Sequence, residues 1–326
     1  MEDNRDYFMD NYKALLIVLV VISHFLELNN KNNLFLYLLK WFIVCFHMPA
    51  FIFVSGYFSK KELSIEKLIK KLFIPYLVYE IIYYFFYTFI LHRTTKLYLL
   101  KPKFSLWYLL ALFVWRLITP YFKKIPHYMI VSVSLGLLIG ISDMQDNFLS
   151  IPRILYFYPF FLLGTITQQV DIKKLLSKIK IKKIIPVFLI VLLISFVICP
   201  YSNKIFYGRY NYESLHQTDI EGMFVRLLCY AIGFLMIIIM MFFVKKDKTS
   251  YSYIGQRTMP VYIFHGLTYC FFKYNTTILQ MVNTPIESML LILFCLLLVK
   301  LYSSKIFFNI TNYISNIHLP IFSHQR

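Results

Sequence analysis

The chain has 326 residues, 59% of them hydrophobic and only 15% charged, with a mean hydropathy of +0.62. That balance excludes an ordinary soluble domain. The formal net charge of +18 would suit nucleic acid, but its distribution between apolar runs marks it as mainly topogenic, with anionic lipid or ligand phosphates as secondary partners.

Ten apolar stretches approach the length of a membrane-spanning helix: roughly 14–28, 34–58, 72–91, 105–122, 128–142, 151–169, 184–200, 222–244, 259–274 and 286–302. The predicted fold is all-α: a polytopic integral membrane protein of about ten transmembrane helices, one domain over residues 1–326. The first stretch lacks a small-residue cleavage site and opens a series of spans, so no cleavable signal peptide is expected. Lys60, Lys61, Lys67, Lys70 and Lys71 fill one loop, Lys173 to Lys183 another, and Lys245, Lys246, Lys248 and Arg257 a third. Arg93, Lys96, Lys101 and Lys103 are an exception on the other side. This asymmetry places both termini in the cytoplasm.

His24, in LLIVLVVISHF, follows Lys13 by eleven residues, which puts it about 16 Å inward along a helix. The second stretch contains FHMPAFIFVSGY, with a histidine and a proline at its centre. His47 precedes Phe58 by eleven residues in a run of opposite direction, so the two imidazoles reach one depth. The bland reading is a pair of buried histidines satisfied by hydroxyls or carbonyls. The sharper one is a site in which a desolvated, neutral imidazole accepts a proton from an alcohol.

Further along, Lys67, Lys70 and Lys71 precede Pro75, either as a helix on the bilayer surface or as a basic mouth for a phosphorylated donor. Glu80 and Arg116 lie within spans, and snorkelling is the expected role of Arg116. Arg153 opens RILYFYPFFLLG, whose aromatics suit an inward-facing pocket. The loop from about Tyr201 to Glu221 is rich in Tyr, Asn and His and reads as a lid, a saccharide-contacting surface or a plain connector. Arg226 enters the eighth stretch, and His265 follows Pro260 by five residues. Cys45, Cys199, Cys229, Cys270 and Cys295 show no metal-ligand or redox spacing, and no metal is expected.

Together these residues resemble the integral-membrane acyltransferase family 3, in particular its fucose 4-O-acetylase-like branch. The likeness is carried by Asp10-Asn11 with Lys13 and then His24, and by Phe46-His47-Met48-Pro49 with Ser55-Gly56-Tyr57. Leu106-Trp107-Tyr108-Leu109-Leu110-Ala111, Arg153 with Pro159 to Gly164, and Ile254-Gly255 with Thr258, Pro260, Tyr262 and His265 complete it. The resemblance implies a ten-helix enzyme of the bacterial cytoplasmic membrane. It would move an acetyl group from cytoplasmic acetyl-CoA, a co-substrate, to a hydroxyl of a surface polysaccharide or lipid-linked glycan. It makes His24 the catalytic histidine and Lys13 its signature partner, with His47 beside them. Trp107, Arg153 and His265 become the candidate substrate-binding residues. The family often carries an Arg-x-x-Arg motif where this chain has only Lys67, Lys70 and Lys71 as donor-binding candidates; lysine keeps the charge and loses the bidentate fork. A transporter or flippase for lipid-linked sugars is the alternative, and the paired repeats such proteins often show are not evident. A homo-oligomer is compatible with either reading.

Overall fold

In the computed structural model, which describes residues 5–28, 33–144, 148–197 and 202–316, every regular element is a helix. Capping side chains set several starts. Asp6 accepts the Met9 amide before α1 (Tyr7–Phe25), and Asn33 accepts the Leu36 amide before α2 (Leu34–Val44). There follow α3 (His47–Tyr57), α4 (Ile65–Ile90, with π-helical turns at Ile69–Phe73 and Phe86–Ile90) and α5 (Phe104–Phe122, opening on a 3-10 turn). The chain continues with α6 (Tyr128–Leu138), α7 (Ile151–Ile166), α8 (Gln169–Lys178) and α9 (Ile181–Val197). The last elements are α10 (Asp219–Met241), α11 (Ser252–Gln256), α12 (Thr258–Asn275), α13 (Pro285–Tyr302) and α14 (Lys305–Ser315).

Among the described residues six helical segments are long and apolar enough to cross a membrane: α1, the joined pair Leu34–Tyr57, α4, α5, α10 and α13. The chain is therefore an all-helical, polytopic membrane protein. The other expected spans fall on helices that are shorter or more polar. Tyr128–Leu138 and Ile151–Ile166 are shorter apolar helices, and α12 interrupts its apolar run with Thr258, His265 and Thr268. Cys199 and the end of the seventh predicted stretch lie outside the described residues.

The second span departs from the expected single helix, and its break explains FHMPAFIFVSGY. Pro49 has no amide hydrogen to donate four residues back, so it suits a first turn. The helix stops at Val44 and restarts at His47, placing Pro49 in the first turn of α3. Phe46 takes the kink at φ −141°. The carbonyl of Ile43, at the broken end of α2, accepts a hydrogen bond from the His47 ring at 2.8 Å. The histidine thus caps the helix that the proline interrupts.

The bundle has two distinguishable ends. At one, where α1 begins, Asp6 meets Tyr57 and Lys13 lies over the Phe58 ring. Asn11 reaches there the carbonyls of Lys245 and Asp247, and Gly255 abuts Asp10. Call this the N-terminal end; the lysine-bearing loops at 59–63 and 245–251 gather on it. At the opposite end α1 finishes beside the last turns of α12 and the segment 203–215. Between the ends, α3 and α7 cross almost backbone to backbone. A Cβ on Gly56 would lie 2.1 Å from the Phe161 carbonyl oxygen, and one on Gly164 would lie 2.0 Å from that of Phe53. Glycine at both positions allows that close approach.

Candidate active site

The break in the second span opens one wall of a cavity of about 340 Å³. His24 enters it from the last turn of α1, His47 from the first turn of α3, Trp107 from α5 and Arg153 from α7. Four residues far apart in sequence, each singled out for being polar or aromatic in an apolar setting, thus share one space.

The His24 ring is enclosed by aromatic neighbours, with centroids 4.8 Å from Phe104, 5.4 Å from His265 and 5.9 Å from Tyr269. Its Nδ1 lies 4.0 Å from a carboxylate oxygen of Glu27, three residues on. Glu27 is held in turn. Tyr269 donates to its Oε2 at 2.9 Å, and the Lys273 ammonium stands 3.9 Å from its Oε1. A carboxylate beside an imidazole stabilises the charged ring that forms when the imidazole accepts a proton.

His47 is 5% exposed, and its tautomer follows from its capping bond. A carbonyl can only accept, so Nδ1 carries the hydrogen given to Ile43, and Nε2 of the neutral ring is left as an acceptor. His265 obeys the same rule against Val261, at 2.8 Å. It is not among the residues lining the cavity: it is fully buried beside His24, and its Nε2 is a buried nitrogen with no hydrogen-bond partner among the described residues. Its position supports His24 rather than offering a face to a bound molecule.

Phe104 reaches His24 because of an arrangement the sequence did not advertise. After α4 the chain turns back toward the depth of Glu80, whose fully buried carboxylate accepts the Lys103 amide at 2.5 Å and lies 3.4 Å from its ammonium. Helix α5 therefore starts at that depth, with Phe104 in the left-handed region at φ 47°, a conformation a bulky side chain adopts only when its surroundings impose it. Arg226, buried in α10, fixes another wall. It donates to Gly136 at 3.0 Å and to Tyr210 at 2.9 Å, pinning the loop that carries Tyr207, Arg209 and Tyr210 into the cavity. Part of that loop therefore lines the cavity.

The proposed lysines lie elsewhere. Lys13 pairs with Asp10 at 3.0 Å, about 16 Å along α1 from His24. Lys67 and Lys71 are exposed and Lys70 pairs with Glu66 at 2.6 Å in the first turns of α4, about 25 Å before Tyr87, the residue of that helix that reaches the cavity. Arg116 reaches the Lys61 carbonyl at 3.1 Å, at the N-terminal end, as a snorkelling residue would. Among the described residues no cluster of His, Cys, Asp and Glu could hold a metal ion.

Helices, break and cavity together make a candidate site within a polytopic membrane protein, and comparison with known proteins gives the chain a family. Residues 6–304 match the family model described as an acyltransferase domain, and the chain belongs to that family. It is similar to the nodulation protein NolL of Sinorhizobium fredii, with 28% identity over 188 residues, 51% of this chain and 50% of that relative. The chain thus spans about half the length of the curated relative it matches. No solved structure matches it.

Proposed function

We propose that this membrane acyltransferase moves an acetyl group from acetyl-CoA to a hydroxyl of a surface polysaccharide or lipid-linked glycan precursor, in the cytoplasmic membrane of a bacterium. The observation that carries the reading is the cavity in which His24 stands beside Glu27 and opposite a His47 whose Nε2 faces no capping carbonyl. In the simplest course, the His24 imidazole takes the proton of the sugar hydroxyl and its oxygen attacks the thioester carbonyl. The carbon–sulfur bond then breaks, and the departing thiolate receives the proton from the imidazolium. A relay through an acetylated histidine uses the same groups in two steps. Trp107 and Arg153 hold the sugar against that base, and the lysine-bearing N-terminal end receives the phosphates of the donor.

The test is acetyl transfer by the purified chain in liposomes, from radiolabelled acetyl-CoA to glycan extracted from cells lacking the gene. Label appears in an alkali-labile ester with the intact chain and not with His24→Ala. Retention of near-normal transfer by His24→Ala removes the assignment, and transfer from no acyl-CoA removes the donor.

A further inference from the structure

Helix α2, LFLYLLKWFIV, carries one charged residue, Lys40. A lysine inside an apolar span is costly unless its ammonium reaches water or a partner. Lys40 is 8% exposed and is not among the residues lining the cavity, so neither water nor a bound molecule accounts for it. Its ammonium donates instead to the backbone carbonyl of Glu27 at 3.4 Å, just past the end of α1. Carbonyls at a helix C-terminus carry partial negative charge, which a cation there offsets. The ammonium also stands close enough to the Glu27 carboxylate for its charge to bear on it.

Glu27 is thereby held from two helices. From α12, Tyr269 donates to its Oε2 and Lys273 faces its Oε1. From α2, Lys40 holds its backbone. These contacts decide where the carboxylate stands relative to the His24 Nδ1, 4.0 Å away. Helix α2 has a second connection to the site. Three residues beyond Lys40, the carbonyl of Ile43 takes the Nδ1 hydrogen of His47. Residues three apart share a helix face, and both are buried, so one face of α2 touches both halves of the site.

We infer that Lys40 is a positioning residue: it fixes the end of α1 so that the Glu27 carboxylate is turned toward the His24 ring, and α2 thereby sets the two imidazoles in one frame. The inference rests on the acetyl-transfer reading for the reaction His24 performs, not for the contacts that place it. A carboxylate facing Nδ1 makes the opposite nitrogen of the same ring a better base and nucleophile. Lys40 acts on the ring only through Glu27. The two residues therefore form one unit, and the effects of removing them do not add.

A double-mutant cycle on the purified full chain in detergent tests this without any turnover. Diethyl pyrocarbonate acylates neutral imidazoles, and mass spectrometry of the peptide carrying residue 24 isolates the rate at His24. At about pH 8 the rings are neutral and the rate reports nucleophilicity. Glu27→Gln and Lys40→Met should each slow the modification about fivefold, and the double variant should be no slower than either. Lys40→Arg keeps the charge and should stay within about twofold of the unaltered chain. Where Lys40→Met does not insert, Lys40→Gln replaces it, with a smaller slowing and again no further effect beside Glu27→Gln. A lysine variant that slows His24 equally with and without the Glu27 carboxylate overturns the proposal, because Lys40 then acts on the bundle at large. An unchanged His24 rate in Lys40→Met overturns it too. Initial rates of acetyl transfer carry the same cycle to the reaction, with kcat lowered and the KM for acetyl-CoA unmoved. Normal acetyl transfer with an uncoupled Lys40 keeps the acetyl-transfer reading and removes this role. A coupled cycle in a chain that transfers no acetyl group does the reverse.

Discussion

His24 and Glu27 sit three residues apart at the end of α1, and their pairing makes separable predictions for the two side chains. Replacing His24 by alanine removes the base, and acyl transfer should fall by at least about 10²-fold while insertion and protein level stay normal. Glu27→Gln keeps an acceptor for the Tyr269 hydroxyl but loses the charge that stabilises a protonated ring. It should lower kcat by about tenfold or more and leave the KM for acetyl-CoA unchanged. Initial rates normalised to inserted protein measure both; a Glu27→Gln enzyme with unaltered kcat would show that the carboxylate serves structure alone. The histidines, Trp107 and Arg153 were legible in the sequence because a polar or bulky aromatic residue stands out in an apolar run. Glu27, Arg209 and Lys273 were not, because they fall at helix ends or in loops where charged residues are ordinary. The spacing from His24 to Glu27 was the available signal, since residues three apart share a helix face.

At the scale of elements, the histidine and proline in the second span announced an interruption, but only the structure shows that it divides the run into two helices and that the His47 ring caps the first. The crossing of α3 and α7 ties sequence directly to packing. A methyl group on Gly56 or Gly164 meets a carbonyl oxygen at about 2 Å, so the helices must separate. Gly56→Ala is expected to cost about 1–3 kcal/mol by overpacking and to depress activity, because α3 and α7 carry His47 and Arg153. A thermal melt in detergent checks the first effect; a midpoint shifted by less than about one degree would mean the crossing yields more easily than its geometry implies. The return of the chain after α4 was invisible beforehand, since Glu80 looked like an isolated charge in a span. Its partner is chiefly the backbone amide of Lys103, which no pattern of side chains encodes. Glu80→Gln, which keeps an acceptor, should be milder than Glu80→Ala, which releases Phe104 from His24. Equal activity in the two variants would show that the turn holds itself.

For the molecule as a whole, the separation of two ends matters most. Composition gave the membrane and the helical class, and the lysine loops do gather where α1 begins, but the sequence did not reveal that the cavity opens among cations at the other end. On the proposed reaction, donor and acceptor would reach His24 from opposite ends of the bundle. With acetyl-CoA as the proposed donor, which does not cross a bilayer, its phosphates would meet the positive charge of one face only. Replacing Lys67, Lys70 and Lys71 by glutamine should raise the apparent KM for acetyl-CoA severalfold with little change in kcat, because phosphate attraction contributes mainly to binding before reaction. The penalty should shrink with added salt, since screening weakens the advantage of the unaltered enzyme too. A helix that merely lies on the bilayer predicts the opposite pattern: poorer insertion, with an unchanged KM in whatever enzyme inserts. Rates measured in liposomes of sorted orientation, with acetyl-CoA supplied to one side at a time, separate these cases. Activity should appear when the donor faces the N-terminal end. An unchanged KM in the triple variant, with that sidedness kept, would move the donor phosphates to the 245–251 loop. Asn11 already holds that loop through the carbonyls of Lys245 and Asp247 and the hydroxyls of Thr249 and Ser252, four turns of α1 or fewer from His24.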